Sequence, residues 1–112
     1  MPNKNYISGA NFERRVKKYL ESKGYLVFRS AGSHSIADLI AINNRDWNES
    51  FSYLIQCKHH GKISKDDLKK ADRLEDKFDF IFVIAEMKKR RLVFSKLMRA
   101  NKKISTYETK MI

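Results

Sequence analysis

Asp38 stands in an apolar stretch, Ile36 to Ile42, eighteen residues before Gln56, and Gln56-Cys57-Lys58 closes a second apolar and aromatic stretch that begins at Phe51. An acidic residue at the start of one strand, followed across a hairpin by an acidic or amide residue with a lysine two positions on, brings three polar side chains to one end of a sheet. Oxygen ligands of this kind suit a hard divalent cation, and the lysine can lie beside the water that attacks a phosphodiester. Mg²⁺ fits such a site because it takes few protein oxygens and keeps several waters, with Mn²⁺ as the alternative. An isolated Asp inside an apolar strand is costly to bury unless it is paired or metal-bound, so Asp38 leans toward function on composition alone. Lys58 by itself equally suits an edge-strand lysine placed against aggregation. The pattern is loose in isolation, and the elements around it carry much of the argument.

Those elements are legible from periodicity. Phe12, Val16, Tyr19 and Leu20 form one apolar stripe on a helix of about residues 9–23, with Gly24 where a left-handed stop is expected. Tyr25 to Arg29 reads as a strand, residues 30–35 as a small-residue loop, Ile36 to Ile42 as a second strand and Asn43 to Ser50 as a turn. Phe51 to Lys58 makes a third strand, whose alternation sets Leu54, Gln56 and Lys58 on one face and Ile55 and Cys57 on the other. Ser64 to Asp67 fits a capping box, followed by Leu68, Ala71, Leu74 and Phe78 at helical spacing, which predicts a helix over 64–77. Phe80 to Ala85, apolar throughout, reads as a strand buried on both faces, and Arg91 to Phe94 as its hairpin partner. The order is α-β-β-β-α-β-β, with the tail after Ser95 a short helix or an extended segment.

The chain has 112 residues, with 24 Lys and Arg against 13 Asp and Glu, a formal net charge of +11. That length argues for a single domain over residues 1–112, and 42% hydrophobic content is enough for it to fold. One cysteine, Cys57, excludes a disulfide scaffold and most zinc-finger classes and suits a reducing cytosolic compartment. The start has no apolar signal region, and the longest strictly apolar run is six residues, so export and membrane spanning are not expected. A domain of pI near 9.9 calls for a polyanionic partner, nucleic acid before anionic membrane or acidic protein.

Glu13-Arg14 on the first helix, Lys23-Gly24-Tyr25 at its close, the loop Arg29-Ser30-Ala31-Gly32-Ser33, then Asp38 and Gln56-Cys57-Lys58 together resemble the archaeal-type Holliday junction resolvases, a branch of the PD-(D/E)xK nucleases. The resemblance runs from about Gly9 to Lys58 and continues more weakly beyond. It implies an α/β, restriction-endonuclease-like core with a central mixed five-stranded sheet flanked by helices. It also implies a catalytic set of Glu13, Asp38, Gln56 and Lys58, with Glu13, Asp38 and Gln56 toward the metal and Asp38 the principal ligand. Lys58 would orient water and stabilise charge on the phosphoryl group. Arg14 and Arg29 would meet phosphates near the scissile bond, and Ser30 and Ser33 would lie in a substrate-contacting loop. Gln56 departs from the family, where Glu is common; its amide oxygen can still face Mg²⁺, with one negative charge fewer. Ala37 also replaces the usual proline before the aspartate.

The implied activity is Mg²⁺-dependent endonucleolytic resolution of four-way DNA junctions in recombination and repair, by a cytoplasmic homodimer that carries two active sites. A non-catalytic branched-DNA-binding protein is the alternative, supported by Gln56, and a nuclease on other branched DNA is a third reading. Lys62, Lys65, Lys88, Lys89 and Arg90 are the expected contacts to the junction arms, although such groups commonly form solvated faces. Glu13 without the resemblance would read as a solvated partner of Lys17. His34, His59 and His60 do not make a zinc site, because adjacent strand residues point to opposite faces and no further ligands accompany them. Cys57 reads as a structural thiol, and Trp47 suits either a subunit interface or stacking on a base.

Overall fold

The computed structural model describes residues 4–30, 36–43, 51–58 and 62–110, with the backbone alone at residues 4–9 and 51. The order is α1 (Lys4–Ser22), β1 (Leu26–Arg29), β2 (Leu39–Asn43), β3 (Phe51–Lys58), α2 (Lys65–Lys77), β4 (Ile81–Lys88), β5 (Arg91–Ala100) and β6 (Lys103–Thr109). The strands form one sheet in sequence order. β3 and β4 pair in parallel, joined through α2, and the other neighbours pair antiparallel. The α/β architecture with a mixed sheet and two helices is as expected, but the sheet has six strands rather than five. The tail after Ser95 continues β5 and returns as β6, where Ile104 packs on the α2 side while Lys103 and Ser105 are exposed. Weak alternation among lysines concealed that strand.

α1 ends as its sequence dictates. Gly24 takes φ 96°, its amide donates to the Glu21 carbonyl, and the Tyr25 amide donates to the Leu20 carbonyl. That pair of bonds is a Schellman closure, which needs a residue tolerant of left-handed backbone. The stripe of Phe12, Val16 and Leu20 is buried against Val27, Leu39, Tyr53 and Ile55. Tyr19 lies at the margin, 39% exposed, and stacks on Phe94. The helix starts earlier than the stripe that announced it.

A second cluster joins Ala71 and Leu68 of α2 to Phe82, Ile84, Leu97 and Leu54. Alternate residues of β3 and β4 supply the two clusters, so α1 and α2 cover opposite faces of the sheet. Phe82 to Ala85 is buried throughout, the expected state of a strand between two layers. Each fully buried Leu or Ile stabilises the fold by about 1.5–3 kcal/mol. Phe78 does not enter the core as its spacing implied; it is 50% exposed and stacks on Phe80.

Two tight turns link the last three strands, the first at the expected hairpin and the second leading into the additional strand β6. Lys89 and Arg90 connect β4 to β5 at φ 49° and 65°, and Asn101 and Lys102 connect β5 to β6 at φ 52° and 61°. Left-handed backbone at both central positions matches the twist of the flanking strands. α2 is anchored by Glu75, which accepts the Phe82 amide at 2.6 Å and pairs with Arg99 at 2.8 Å, while Asp72 also bonds Arg99.

Ser64 caps α2, its hydroxyl accepting the Asp67 amide at 3.1 Å. Ser64→Ala should lower the unfolding free energy by about 1 kcal/mol, and Ser64→Gly by roughly a few tenths. Denaturant unfolding of both variants checks this, and no loss for the alanine would contradict the cap.

Candidate active site

Register brings one end of every strand together. Arg29 at the end of β1 pairs with Leu39 at the start of β2, and Leu39 pairs with Ile55 on β3. Parallel pairing then sets Lys58 beside Glu86 on β4, and the turn of Lys89 and Arg90 follows at that same end. Asp38 lies one residue before the β2 ladder, so β2 starts later than the apolar run beginning at Ile36 implied.

At that point the Asp38 side chain takes over from the ladder. The Asp38 amide donates to the Ile55 carbonyl at 2.8 Å, and Asp38 Oδ2 accepts the Cys57 amide at 2.7 Å. These two bonds bracket Gln56. Ser30 braces the other side, its amide donating to the Asp38 carbonyl and its hydroxyl to the Ala37 carbonyl, both at 2.9 Å. The carboxylate is thus fixed against β3 with one oxygen engaged by backbone.

Glu13 joins from α1 through Arg29, whose Nε lies 2.9 Å from Glu13 Oε2. Glu13 is 21% exposed and Arg29 41%. The charges of Lys58 and Arg29 both act on Asp38, and those of Asp38 and Glu13 both act on Cys57. Glu13, Arg29, Asp38 and Lys58 therefore gather at one end of the sheet, from α1, β1, the start of β2 and β3, with Gln56 between the two β3 residues that bond to Asp38. Burial, followed by those two negative charges, pushes the Cys57 thiol well above its ordinary range. Its side chain packs toward the α1 core, so a structural thiol is what the fold contains.

Gln56 Oε1 is buried and has no hydrogen-bond partner among the described residues. A buried carbonyl oxygen left unmatched costs free energy unless something fills its lone pairs, and a cation beside the Asp38 carboxylate would do so. The donor set of a carboxylate, an amide oxygen and a second carboxylate on α1 fits a hard divalent ion. No three His, Cys, Asp or Glu residues converge on a metal position among the described residues.

The remaining expected contacts are distributed unevenly. Arg14 is exposed on α1, Lys65 opens α2, and Lys62 is exposed between β3 and α2. Lys89 and Arg90 are exposed at the β4–β5 turn. Lys88 is committed to Glu108 at 3.0 Å, which holds its ammonium above the ordinary lysine range. Ser33, His34, Trp47, His59 and His60 lie outside the described residues. Sequence reasoning missed the Cys57 amide as the group that orients Asp38, because a backbone donor leaves no side-chain signal. It also missed the Glu13–Arg29 pair, sixteen residues apart, which no local spacing announces.

Burial is the largest influence on the Asp38 carboxyl and raises it above its ordinary value, against the lowering by the Cys57 amide, Lys58 and Arg29. A carboxyl raised on folding binds more protons in the folded state, so its contribution to stability falls as pH rises from the ordinary carboxylate value through the raised one. Ionised Asp38 is a stability cost at neutral pH. Asp38→Asn keeps an acceptor for the Cys57 amide and removes the charge. It should melt higher than wild type at pH 7, with the gain shrinking on acidification, and a lower melting temperature at pH 7 would contradict the assignment.

Comparison with known proteins bears on the family and the fold. Residues 4–107 match the family model described as archaeal Holliday junction resolvase (Hjc). The chain is similar to a crossover junction endodeoxyribonuclease Hjc of Methanocaldococcus jannaschii, 38% identical over 69 residues, which is 58% of this chain and 47% of that relative. It thus spans about half the length of the curated relative it matches. Its fold is similar to that of Archaeoglobus fulgidus Hjc, with a TM-score of 0.65 at 22% identity over 90% of this chain and 84% of the other. Among the described residues no helix is long and apolar enough to cross a membrane. With the match extending from the first turn of α1 into β6, the chain belongs to the archaeal Holliday junction resolvase (Hjc) family.

Proposed function

We propose that this protein is a metal-dependent endonuclease that resolves four-way DNA junctions. The observation that carries the reading is the Asp38 carboxylate, fixed by the Cys57 amide of the strand that also carries Gln56 and Lys58, and within the field of Lys58 and Arg29. Family membership supports the substrate class, since the relatives are described as a crossover junction endodeoxyribonuclease and a Holliday junction resolvase.

Asp38, Gln56 and, from α1, Glu13 would hold Mg²⁺, with Mn²⁺ as a substitute. When bound, the ion supplies Lewis-acid polarisation of the scissile phosphate. Lys58 orients the attacking water and stabilises the negative charge that builds on the phosphoryl oxygens. Arg29 and Arg14 hold phosphates next to the cut, and Ser30 fixes the Ala37–Asp38 backbone. Lys62, Lys65, Lys89 and Arg90 bind the junction arms through phosphate, so recognition rests on branch shape more than on base sequence. Lys88 contributes once it leaves Glu108. Symmetrical resolution needs two such sites, which a two-fold homodimer provides. Its place of action is the cytoplasm.

Lys58→Ala separates this reading from that of a binding protein with a degenerate site. Removing one electrostatic group aimed at transition-state charge costs about 10²–10³ in rate. The variant should bind an immobile four-way junction with nearly wild-type affinity and nick it about 10²–10³ more slowly in Mg²⁺. Equal nicking by variant and wild type, or none by either, would contradict the proposal.

A further inference from the structure

The carboxylates at the active end of the sheet are already matched by cations. Glu13 is bonded to Arg29, Asp38 feels Lys58 and Arg29, and Glu86 faces Lys58 across the ladder and acts on Lys88 two residues on. Gln56 brings an oxygen with no charge, and that oxygen is buried and unmatched. One of the two Asp38 oxygens is also held by the Cys57 amide. A hard divalent cation entering the free protein meets weak net attraction, since the affinity of such sites rises with the number of charged ligands.

Phosphate changes this balance in two ways. It is an anion with oxygen ligands of its own, and it is the better partner for a guanidinium, which grips phosphate with two parallel hydrogen bonds. The Glu13–Arg29 contact is a single bond between partly exposed side chains, where water competes for both charges, so it is readily exchanged. Moving Arg29 onto a phosphate frees Glu13 to face the ion.

We propose that metal loading in this protein follows DNA binding, with the scissile phosphate and the released Glu13 supplying the negative charge that Gln56 lacks. Arg29 is then the positioning residue that couples the two events. The inference rests on the nuclease reading above and deepens it, adding an order of assembly: the free protein holds its divalent ion weakly, and the junction completes the site. This order keeps the protein from nicking until a branched substrate is seated.

Mn²⁺ titrations followed by electron paramagnetic resonance of the free ion test the order without reading activity. Uptake by nucleic acid itself is subtracted with the Asp38→Asn protein on the same junction. Wild type with a four-way junction should take up Mn²⁺ at least about tenfold more tightly than wild type alone, as ligand charge tunes hard-cation sites over decades. Two variants of the free protein should gain affinity without DNA, Gln56→Glu by adding a charge and Arg29→Gln by freeing Glu13. Either gain supports the proposal, and the second is independent of whether a buried glutamate is accommodated at 56. Wild type that binds Mn²⁺ equally well with and without junction overturns the order while leaving the nuclease reading intact. Wild type that binds no Mn²⁺ even with junction, and nicks nothing, overturns both.

Discussion

The bond from the Cys57 amide to Asp38 Oδ2 is the constraint around which the active end of this molecule is arranged. It replaces a ladder contact with a side chain, sets the start of β2 at Leu39, and fixes a carboxylate against the strand that carries Gln56 and Lys58. Holding it there requires β1, β2 and β3 to stay in register, which α1 enforces by burying Phe12, Val16 and Leu20 on their shared face. On the other side of β3, β4 runs parallel, and α2 supplies the crossover that makes this possible. Asp38 is held in a protonation-disfavouring bond and a protonation-favouring burial at once, the kind of conflict that proteins accommodate where chemistry is done.

Charge is organised around that point. The excess of cations makes nucleic acid the natural partner, and the topology gives part of it a place. Lys58, Lys89 and Arg90 come to one end because β3 and β4 are parallel and β4 turns directly into β5, while Lys65 arrives there at the start of the crossover helix. The opposite turn, at Asn101 and Lys102, stands beside the Arg99 network with Asp72 and Glu75, which ties α2 to the sheet. Lys58 and Arg29 thus meet the acids Asp38 and Glu13, whereas Arg99 ties α2 to the sheet.

Much of this was legible before any coordinates. The stripe on α1, the stop at Gly24, the capping serine, the buried run of β4 and the alternation of β3 are local patterns, and each was found where its period placed it. Asp38 and Gln56-x-Lys58 were legible because an acid inside apolar sequence is conspicuous. β6 was missed because exposed Lys103, Ser105, Tyr107 and Glu108 hide a strand that is half solvated. The late start of β2 was missed because the carboxylate, not the sequence pattern, ends the ladder there. The Glu13–Arg29 pair and the bracing of Ala37 by Ser30 are products of tertiary contact, so neither had a local signature.

The central claim is that the end of the sheet around Asp38 cuts branched DNA. Mapping of nicks on all four strands of an immobile junction in Mg²⁺, beside a linear duplex of the same arm sequences at the same salt, tests it most directly. The account predicts paired nicks at related positions in two opposing strands, with the linear duplex left intact. Absence of nicks, or equal cutting of junction and linear duplex, would contradict it.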